Sequence, residues 1–352
     1  MHAWIVQTGE PLPCDDADER PMRAGALTRA LERNHHRVTV ISSDFWHQRK
    51  RHRTGKLSLI RTSPLTEVLL LPSLGYKRHI GVRRLIDHQQ LGAAFRKVAP
   101  GLERPDVMVV GFPPIEIAFQ AISLAKHWGV PSVLDVKDQW PDIFWRRLPE
   151  RLQGIGRLSF RAMTHQATEA FRLAGSITSM SPAFVEWAAG RAGRKSNDLD
   201  QAFPFGCDSP ADHEASLVDG PRALTFAGSI TRSFDFDTLL RGFQRSNFAG
   251  SGGKLGICGS GDEERRLRAV TASDERVMFR GWLSASELAT TLCRSVAGAA
   301  PYIARSDFEM SLPNKVVEYT SFGLPILAPS IGQIANFVSS VGVGFMYKPT
   351  SI

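Results

Sequence analysis

Short apolar runs alternate with amphipathic stretches along this chain, and the alternation occurs twice. The run Ala3–Gln7 predicts a buried strand, and the Gly- and Pro-bearing loop Thr8-Gly9-Glu10-Pro11-Leu12-Pro13 that follows cannot continue as a helix. Met22, Ala26, Leu27, Ala30 and Leu31 recur at helical spacing, so Met22–Arg33 is predicted as a helix, and Arg37–Ser42 as the next strand. The same reasoning gives a helix carrying Leu85, Leu91, Phe95 and Val98, a strand Asp106–Val110, a helix Ile115–Trp128 and a strand Ser132–Val136. One long helix over Ile155–Ala174, a strand Ser176–Ser179 and a helix opening at Ser181-Pro182 complete the first half. The stretch Asp208–Pro221 is polar, acidic and bounded by Pro and Gly, as a linker should be. Beyond it the alternation restarts with strands Ala223–Ala227, Lys254–Cys258, Arg276–Phe279 and Ala297–Tyr302, with helices predicted at Asp237–Arg245 and Asp262–Val270. Later comes the apolar strand Ile326–Ala328. This pattern predicts an α/β protein of two Rossmann-like domains, 1–218 and 219–352, with the boundary near Val218.

The stretch Arg305–Ala328 is the best candidate for chemistry. Ser311 or Leu312 is placed to cap a helix, Pro313 suits its first turn, and Gly323 with Pro325 closes it before the apolar strand Ile326–Ala328. Free N–H groups and the positive end of the helix dipole make such a start an anion site, and Lys315 adds a full charge. Asn314, Lys315 and Glu318 fall on one face at spacings of three and four, leaving Val316, Val317 and Thr320 to pack. A carboxylate one turn from a phosphate site suits a ribose diol, since it accepts hydrogen bonds from both hydroxyls. The competing reading is a capped surface helix with an exposed Lys315/Glu318 pair, worth little energetically.

Composition narrows the field without choosing. Lys and Arg number 43 against 35 Asp and Glu, a net charge of +8 that permits phosphates, lipid headgroups or nucleic acid as partners. Basic clusters fall at Arg49–Lys56 and at Lys77, Arg78, His79, Arg83 and Arg84, interleaved with Trp46, Leu57, Tyr76 and Ile80. The 4 cysteines, Cys14, Cys207, Cys258 and Cys293, are scattered without ligand spacing, so neither a zinc site nor a disulfide framework is indicated. Met1–Gln7 enters a strand without the basic and long apolar pattern of a leader, and no run approaches ~20 apolar residues, so neither secretion nor membrane spanning is expected and a cytoplasmic location is. Asp235-Phe236-Asp237 and Asp198-Leu199-Asp200 match a metal-binding D-x-D only formally, and capping explains the first. Gly252-Gly253-Lys254 lacks the Ser/Thr and the helix of a P-loop, and the first loop lacks a dinucleotide fingerprint. No cofactor and no metal is called for.

Four segments together resemble one family. S-x-P-x-K-x-x-E-Y at Ser311–Tyr319, followed by G-x-P-I, resembles the nucleotide-sugar site of family 4 glycosyltransferases, retaining enzymes of the GT-B fold whose two Rossmann-like domains turn their parallel sheets toward a central cleft. The sequence is similar to the branch that keeps only the second of two glutamates, with Met310 where the first would stand and Glu309 beside it. Lys137-Asp138-Gln139-Trp140-Pro141 resembles the R-D-x-W-P of that branch, with Lys137 for Arg, and Phe203–Asp208 resembles the segment that ends the first domain. The resemblance implies that Gly228, Ser229, Arg280, Gly281, Ser311, Leu312, Pro313, Asn314 and Glu318 bind the donor, Glu318 through its ribose. It implies that Arg232 and Lys315 stabilise the leaving diphosphate and that Asp138 orients the acceptor or the reacting sugar. A second Lys expected after Arg232 is replaced by Phe234, Asp235 and Phe236. Gly9, Glu10, Arg20 and Arg23 would line the acceptor side of the cleft, while Trp140 reads better as core and Asp138 alternatively as a helix cap. Family members continue into further helices, so a chain ending at Ile352 is either truncated or closes differently.

The activity implied is metal-independent transfer of a sugar, with retention, from a nucleotide-diphosphate sugar to an acceptor hydroxyl. The acceptor is expected to be a glycan or a lipid-linked precursor of a cell-envelope polysaccharide, reached from the inner face of an anionic membrane, and no nucleic-acid partner is expected. The rival readings are a nucleotide-sugar epimerase of the same fold and a non-catalytic nucleotide- or anion-binding protein.

Overall fold

A computed structural model describes residues 1–16, 21–77, 81–146, 148–206 and 223–348. The chain divides into two compact units, Met1–Phe203 and Pro204–Ile352. The boundary expected at Val218 falls among residues 207–222, outside the described ones.

The first unit contains β1 (His2–Val6), β2 (Arg37–Ser43), β3 (Phe45–Trp46), β4 (Arg51–His52), β5 (Ser58–Arg61), β6 (Thr66–Leu71), β7 (Val107–Phe112), β8 (Ser132–Val136), β9 (Ser176–Ser179) and β10 (Gln201–Ala202). Eight of these form a sheet in the order β10-β9-β8-β7-β1-β2-β6-β5, parallel except for the edge pair β5/β6. A parallel sheet is covered by crossover helices on both faces, which explains why β1 is buried at every position. Helices Arg23–Arg33, Val82–Val98, Ile115–Trp128 and Arg161–Leu173 supply that cover, with Trp4, Phe95, Phe112 and Phe171 fully enclosed.

One expectation needs correction here. The predicted helix Ile155–Ala174 is two helices, Glu150–Ser159 and Arg161–Leu173, broken at Phe160. Gly154 and Gly156 weaken the first helix, and the Phe160 ring turns to pack 5.3 Å from Phe144, so tertiary contact overrides the continuous pattern. The basic stretch from Trp46 is exposed over most of its length but ordered. It begins with the hairpin β3/β4, where the guanidinium groups of Arg49, Arg51 and Arg53 lie 5.4, 5.1 and 5.1 Å from the Trp46 ring. Asp44 anchors it by accepting from the Thr54 and Gly55 backbone N–H at 2.7 and 3.0 Å, which helps hold its carboxyl below the usual range despite burial.

The second unit contains β11 (Ala223–Ala227), β12 (Lys254–Cys258), β13 (Val277–Gly281), β14 (Ser295–Ala299), β15 (Ile326–Pro329) and β16 (Gly344–Tyr347), in the all-parallel order β13-β12-β11-β14-β15-β16. Leu224, Phe226, Phe236, Leu240, Leu255 and Ile257 form the core on one side, and Val316, Tyr319, Ile326 and Ile334 belong to a second cluster. Asp235 caps helix Phe236–Gln244 by accepting from Thr238 N at 3.0 Å, as the capping reading of that D-x-D has it. Asp200, in the other, is taken up by Arg194 at 2.7 and 2.9 Å and by Ile177 N at 2.7 Å.

Tyr319 ties helix Asn314–Ser321 to the middle of this sheet. Its hydroxyl accepts from Ala227 N at 2.9 Å and donates to Ala299 O at 3.3 Å, so one atom joins β11 to β14. Tyr319→Phe keeps the ring but orphans a buried N–H, and should lower unfolding free energy by about 1–3 kcal/mol. Chemical denaturation of the two proteins measures this directly, and equal midpoints would deny the hydroxyl its bracing role.

Candidate functional site

In a parallel sheet all strands deliver their following loops to one edge, where open α/β proteins bind ligands. In the second unit the loops after β11 and β12 meet there. Gly228 has φ +143° and Gly259 φ +131°, conformations that L side chains rarely adopt. A Cβ on Gly259 would lie 1.9 Å from Gly228 O, and one on Gly261 would lie 2.2 Å from Ile230 O. The two backbones therefore touch, joined by Gly228 N→Cys258 O and Ile230 N→Ser260 O bonds of 2.9 Å each. The Gly-Ser-Gly of residues 259–261 thus serves close packing of two loops, and Ser229 is left exposed at their tip.

Lys315 reaches this junction from helix Asn314–Ser321. Its side chain is buried, with 8% exposure, and among the described residues its Nζ has no hydrogen-bond partner. Instead, Nζ lies 4.0 Å from the centre of the Phe226 ring, 3.9 Å from Phe234 and 5.3 Å from Tyr302. A Cβ placed on Gly228 would be 2.9 Å from it, so the glycine also leaves room for the ammonium. Burial lowers the Lys315 pKa to about 7, with the Glu318 carboxylate acting in the opposite direction. Glu318 is itself buried, so the reading of an exposed surface pair is overturned: the shared polar face of this helix points inward.

The helix start differs from expectation. Pro313 is the N-cap and the helix begins at Asn314. Ser311 gives its hydroxyl to Asp307 O at 2.5 Å, closing helix Ser306–Met310, and Leu312 is buried in the core. Proline has no side-chain acceptor, so the N-cap residue does not cap the first turn, and among the described residues Asn314 Oδ1 is buried without a hydrogen-bond partner. Glu309 is exposed, its backbone packed against Gly332. Arg232 lies in the loop after β11, where its 91% exposed side chain pairs with Glu263 at 2.9 Å. Glu263 also takes Arg266 at 2.7 Å, which together with Arg232 holds its carboxyl below the usual range. Arg280 is exposed, with Nη1 3.5 Å from Thr291, and Gly281, at φ +67°, accepts from Gly259 N at 2.6 Å.

In the first unit, Glu10 and Arg23 come together with Lys137 and Asp135 in a largely buried chain of charges. Glu10 accepts from Ala24 N at 2.9 Å, satisfying the start of helix Arg23–Arg33, and its other oxygen pairs with Lys137. Lys137 also donates to Gln7 at 2.8 Å, while Asp135 takes Arg23 Nε at 2.8 and 2.9 Å and Thr178 at 2.9 Å. Gly9 is exposed at φ +77°, its carbonyl accepting from Gln48 at 2.8 Å, and Arg20 lies outside the described residues. Asp138 is half-buried and accepts from Gln139 N at 2.9 Å. Trp140 is buried against His88 and Phe144, with ring centres 5.5 and 4.6 Å away, in keeping with its reading as core.

Sequence reasoning missed the aromatic enclosure of Lys315. The nearest signal was the Phe234/Phe236 pair standing where a second basic residue was expected.

Residues 221–351 match the family model described as "Glycosyl transferases group 1", so the second unit carries a glycosyltransferase domain. No curated protein matches the chain as a whole. Among solved structures, sucrose-phosphate synthase from Thermosynechococcus elongatus is similar at a TM-score of 0.70 and 16% identity, over 99% of this chain and 86% of that one. WaaG, a glycosyltransferase involved in lipopolysaccharide biosynthesis, gives 0.65 and 12%, over 100% and 87%. Anabaena HepE in complex with UDP gives 0.62 and 14%, over 99% and 86%. The fold is that of these GT-B glycosyltransferases, two Rossmann-like units each built on a parallel sheet, and the chain is a glycosyltransferase by domain and fold.

The buried Lys315 makes a prediction for the free protein. Between about pH 7 and its ordinary 10.5 the folded side chain binds fewer protons than the unfolded one, so unfolding free energy should rise across that window. The gain should be about 2 kcal/mol, read between about pH 7 and 8.5, before the Cys14 and Cys258 thiols and then the buried Tyr302 and Tyr319, whose pKa values are all raised, begin to act oppositely. Lys315→Met should flatten the profile; a profile equally steep in the variant would show that the ammonium is not buried.

Proposed function

We propose that this chain moves a sugar from a nucleotide-diphosphate sugar to an acceptor hydroxyl, with retention and without a metal ion, and that it belongs to the family 4 branch. The observation that carries the reading is Lys315: a buried ammonium without a hydrogen-bond partner among the described residues, at the junction of two glycine loops, in a domain that matches the glycosyltransferase model. Such a group is stabilised by an anion, and a donor diphosphate supplies one. HepE with UDP provides a precedent for a nucleotide on this fold.

In the reaction the acceptor oxygen bonds to the anomeric carbon, the bond from that carbon to the phosphate oxygen breaks, and the acceptor proton passes to the leaving diphosphate. Negative charge grows on the diphosphate, so Lys315, Arg232 and the free N–H groups at the start of helix Asn314–Ser321 bind it more strongly in the transition state. Arg232 would exchange Glu263 for phosphate oxygens. Glu318 is assigned to the ribose hydroxyls, Arg280 and Gly281 to the base, and Gly228, Ser229 and the Ser311–Asn314 turn to the donor backbone. The first unit is assigned to the acceptor. There Asp138 orients the acceptor hydroxyl or the reacting sugar, Gly9 and Arg20 line the acceptor's place, and Glu10 and Arg23 hold the loop through their ion pairs.

The acceptor in this reading is a glycan or a lipid-linked precursor of a cell-envelope polysaccharide at the inner face of an anionic membrane. Among the described residues no helix is long and apolar enough to cross a membrane. Trp46 and Tyr76 are buried, so they cannot contact lipid as their place among the basic clusters suggested, and Arg53 is held by Asp15 at 2.6 Å. Arg49, Arg51 and Lys56 are exposed beside Leu57 and Leu59 and could meet anionic headgroups.

Glu318→Ala should weaken UDP or ADP binding by about 1.5–3 kcal/mol for each charged hydrogen bond lost, measured by calorimetry on a variant with unchanged circular dichroism. Unchanged affinity would remove Glu318 from the ribose. Arg232→Ala should lower kcat more than it raises KM, in turnover assays run with EDTA present. If KM alone moves, the arginine binds ground and transition states alike. Donor consumption without any acceptor would favour the epimerase reading instead.

A further inference from the structure

A cavity of about 380 Å³ in the first unit is lined by Asp142, Trp145, Arg146, Arg157, Arg161 and Arg191, four arginines against one carboxylate. Asp142 is saturated: Arg191 Nη2 approaches it at 2.5 Å and Arg146 Nη2 at 3.6 Å. Arg157 stands 4.3 Å from the centre of the Trp145 ring, and among the described residues neither it nor Arg161 has a carboxylate partner. The surplus guanidinium groups suit a phosphate, which arginine binds through two parallel hydrogen bonds.

One wall of this cavity belongs to helix Glu150–Ser159, which contributes Arg157. Gly156 is its only buried residue, packed so that a Cβ would lie 2.8 Å from Trp145 Cβ. Leu152, Ile155 and Leu158, spaced at three-residue intervals, are 41%, 65% and 70% exposed, and Leu148 just before the helix is 36% exposed. A helix in a folded unit ordinarily turns its apolar side inward. Here the apolar side faces out beside a basic cavity, the combination found in helices that lie in a bilayer interface.

We propose that this helix and the arginine cavity form a lipid site: the cavity takes the phosphate of an anionic phospholipid headgroup while Leu152, Ile155 and Leu158 enter the acyl boundary. Charge complementarity selects the occupant, since the cavity's four arginines disfavour a neutral apolar protein partner and the exposed leucines disfavour a soluble phosphate. The site is distinct from the hairpin of Arg49 and Arg51 and from the donor loops. It deepens the membrane side of the proposed function without needing the donor to bind.

Co-sedimentation of the full chain with phosphatidylglycerol or phosphatidylcholine vesicles tests it, in the absence of nucleotide. Binding is expected to the first and not the second. It should fall about tenfold or more in R157Q/R161Q, each Lys or Arg near an anionic leaflet contributing ~1 kcal/mol, and comparably in I155S/L158S, with calorimetric UDP affinity unchanged in both. Equal binding to the two lipids, or full retention in either variant, overturns the site. Loss only in R49E/R51E assigns docking to the hairpin instead. Competition by millimolar glycerol phosphate that abolishes the difference between variant and wild type marks a soluble phosphate ligand. A dimer seen by light scattering that I155S/L158S dissolves, without vesicle binding, marks a second copy as the occupant. Wild-type binding to phosphatidylglycerol without measurable UDP affinity would count against the donor site and leave this one standing.

Discussion

A charged amine held away from water must be answered by something, and the second unit is arranged around that requirement at Lys315. Three aromatic rings offer their faces to its ammonium, a glycine leaves space for it, and Glu318 stands one helical turn away. Rings only partly replace lost hydration, since a cation–π contact contributes ~0.5–2 kcal/mol and satisfies no N–H. In the function proposed above, the donor diphosphate is the anion that would meet the remaining imbalance. The parallel sheet brings the loops after β11 and β12 to the same edge, and Tyr319 fixes the helix that carries Lys315 against β11 and β14. Geometry, burial and charge at this point depend on one another.

The first unit treats its charges differently. Four of its buried carboxylates are paired with cations, Glu10 with Lys137, Asp135 with Arg23, Asp15 with Arg53 and Asp142 with Arg191, whereas Glu116 accepts from the neutral Gln89 and its carboxyl is pushed up to about 7 by burial. Removing one partner of such a pair is costly because the other is left buried and uncompensated. Much of the basic character of this unit is therefore internal bracing. Among the outward basic groups, Arg157 and Arg161 at the cavity differ from Arg49 and Arg51 on the hairpin in lying beside the exposed apolar side of helix Glu150–Ser159.

Period and punctuation in the sequence determined the α/β alternation and most strand positions. Ile115–Trp128, Ser132–Val136, Ser176–Ser179, Ala223–Ala227 and Lys254–Cys258 have the limits their apolar runs predict. Strands buried on both faces read as unbroken apolar runs, so composition over a few residues suffices for them. The edge strand β5 and the weakly patterned β6 were not legible, and neither was helix Ala285–Cys293, although its Ser284/Glu287 capping box is a local signal. Ser311–Glu318 were legible as a set because their spacing places them on one helix and its preceding turn, whereas Gly228, Ser229, Arg280 and Gly281 entered only through the family resemblance.

Which way those residues face was decided only by the folded structure. Spacing puts Lys315 and Glu318 on one side of a helix and cannot say whether that side meets water or a sheet, because burial is set by residues far away in the chain. Phe226 and Tyr302 are separated from Lys315 by 89 and 13 positions, and Gly228 by 87, yet they enclose its amine. The same holds for Trp46, whose basic neighbours read as an exposed cluster until their guanidinium groups are found around its buried ring, and for helix Glu150–Ser159, whose apolar side points away from the core. Local sequence determines periodicity, caps and turns through short-range sterics and hydrogen bonding; which face is buried, and which charge is left without a partner, follows from packing between distant segments.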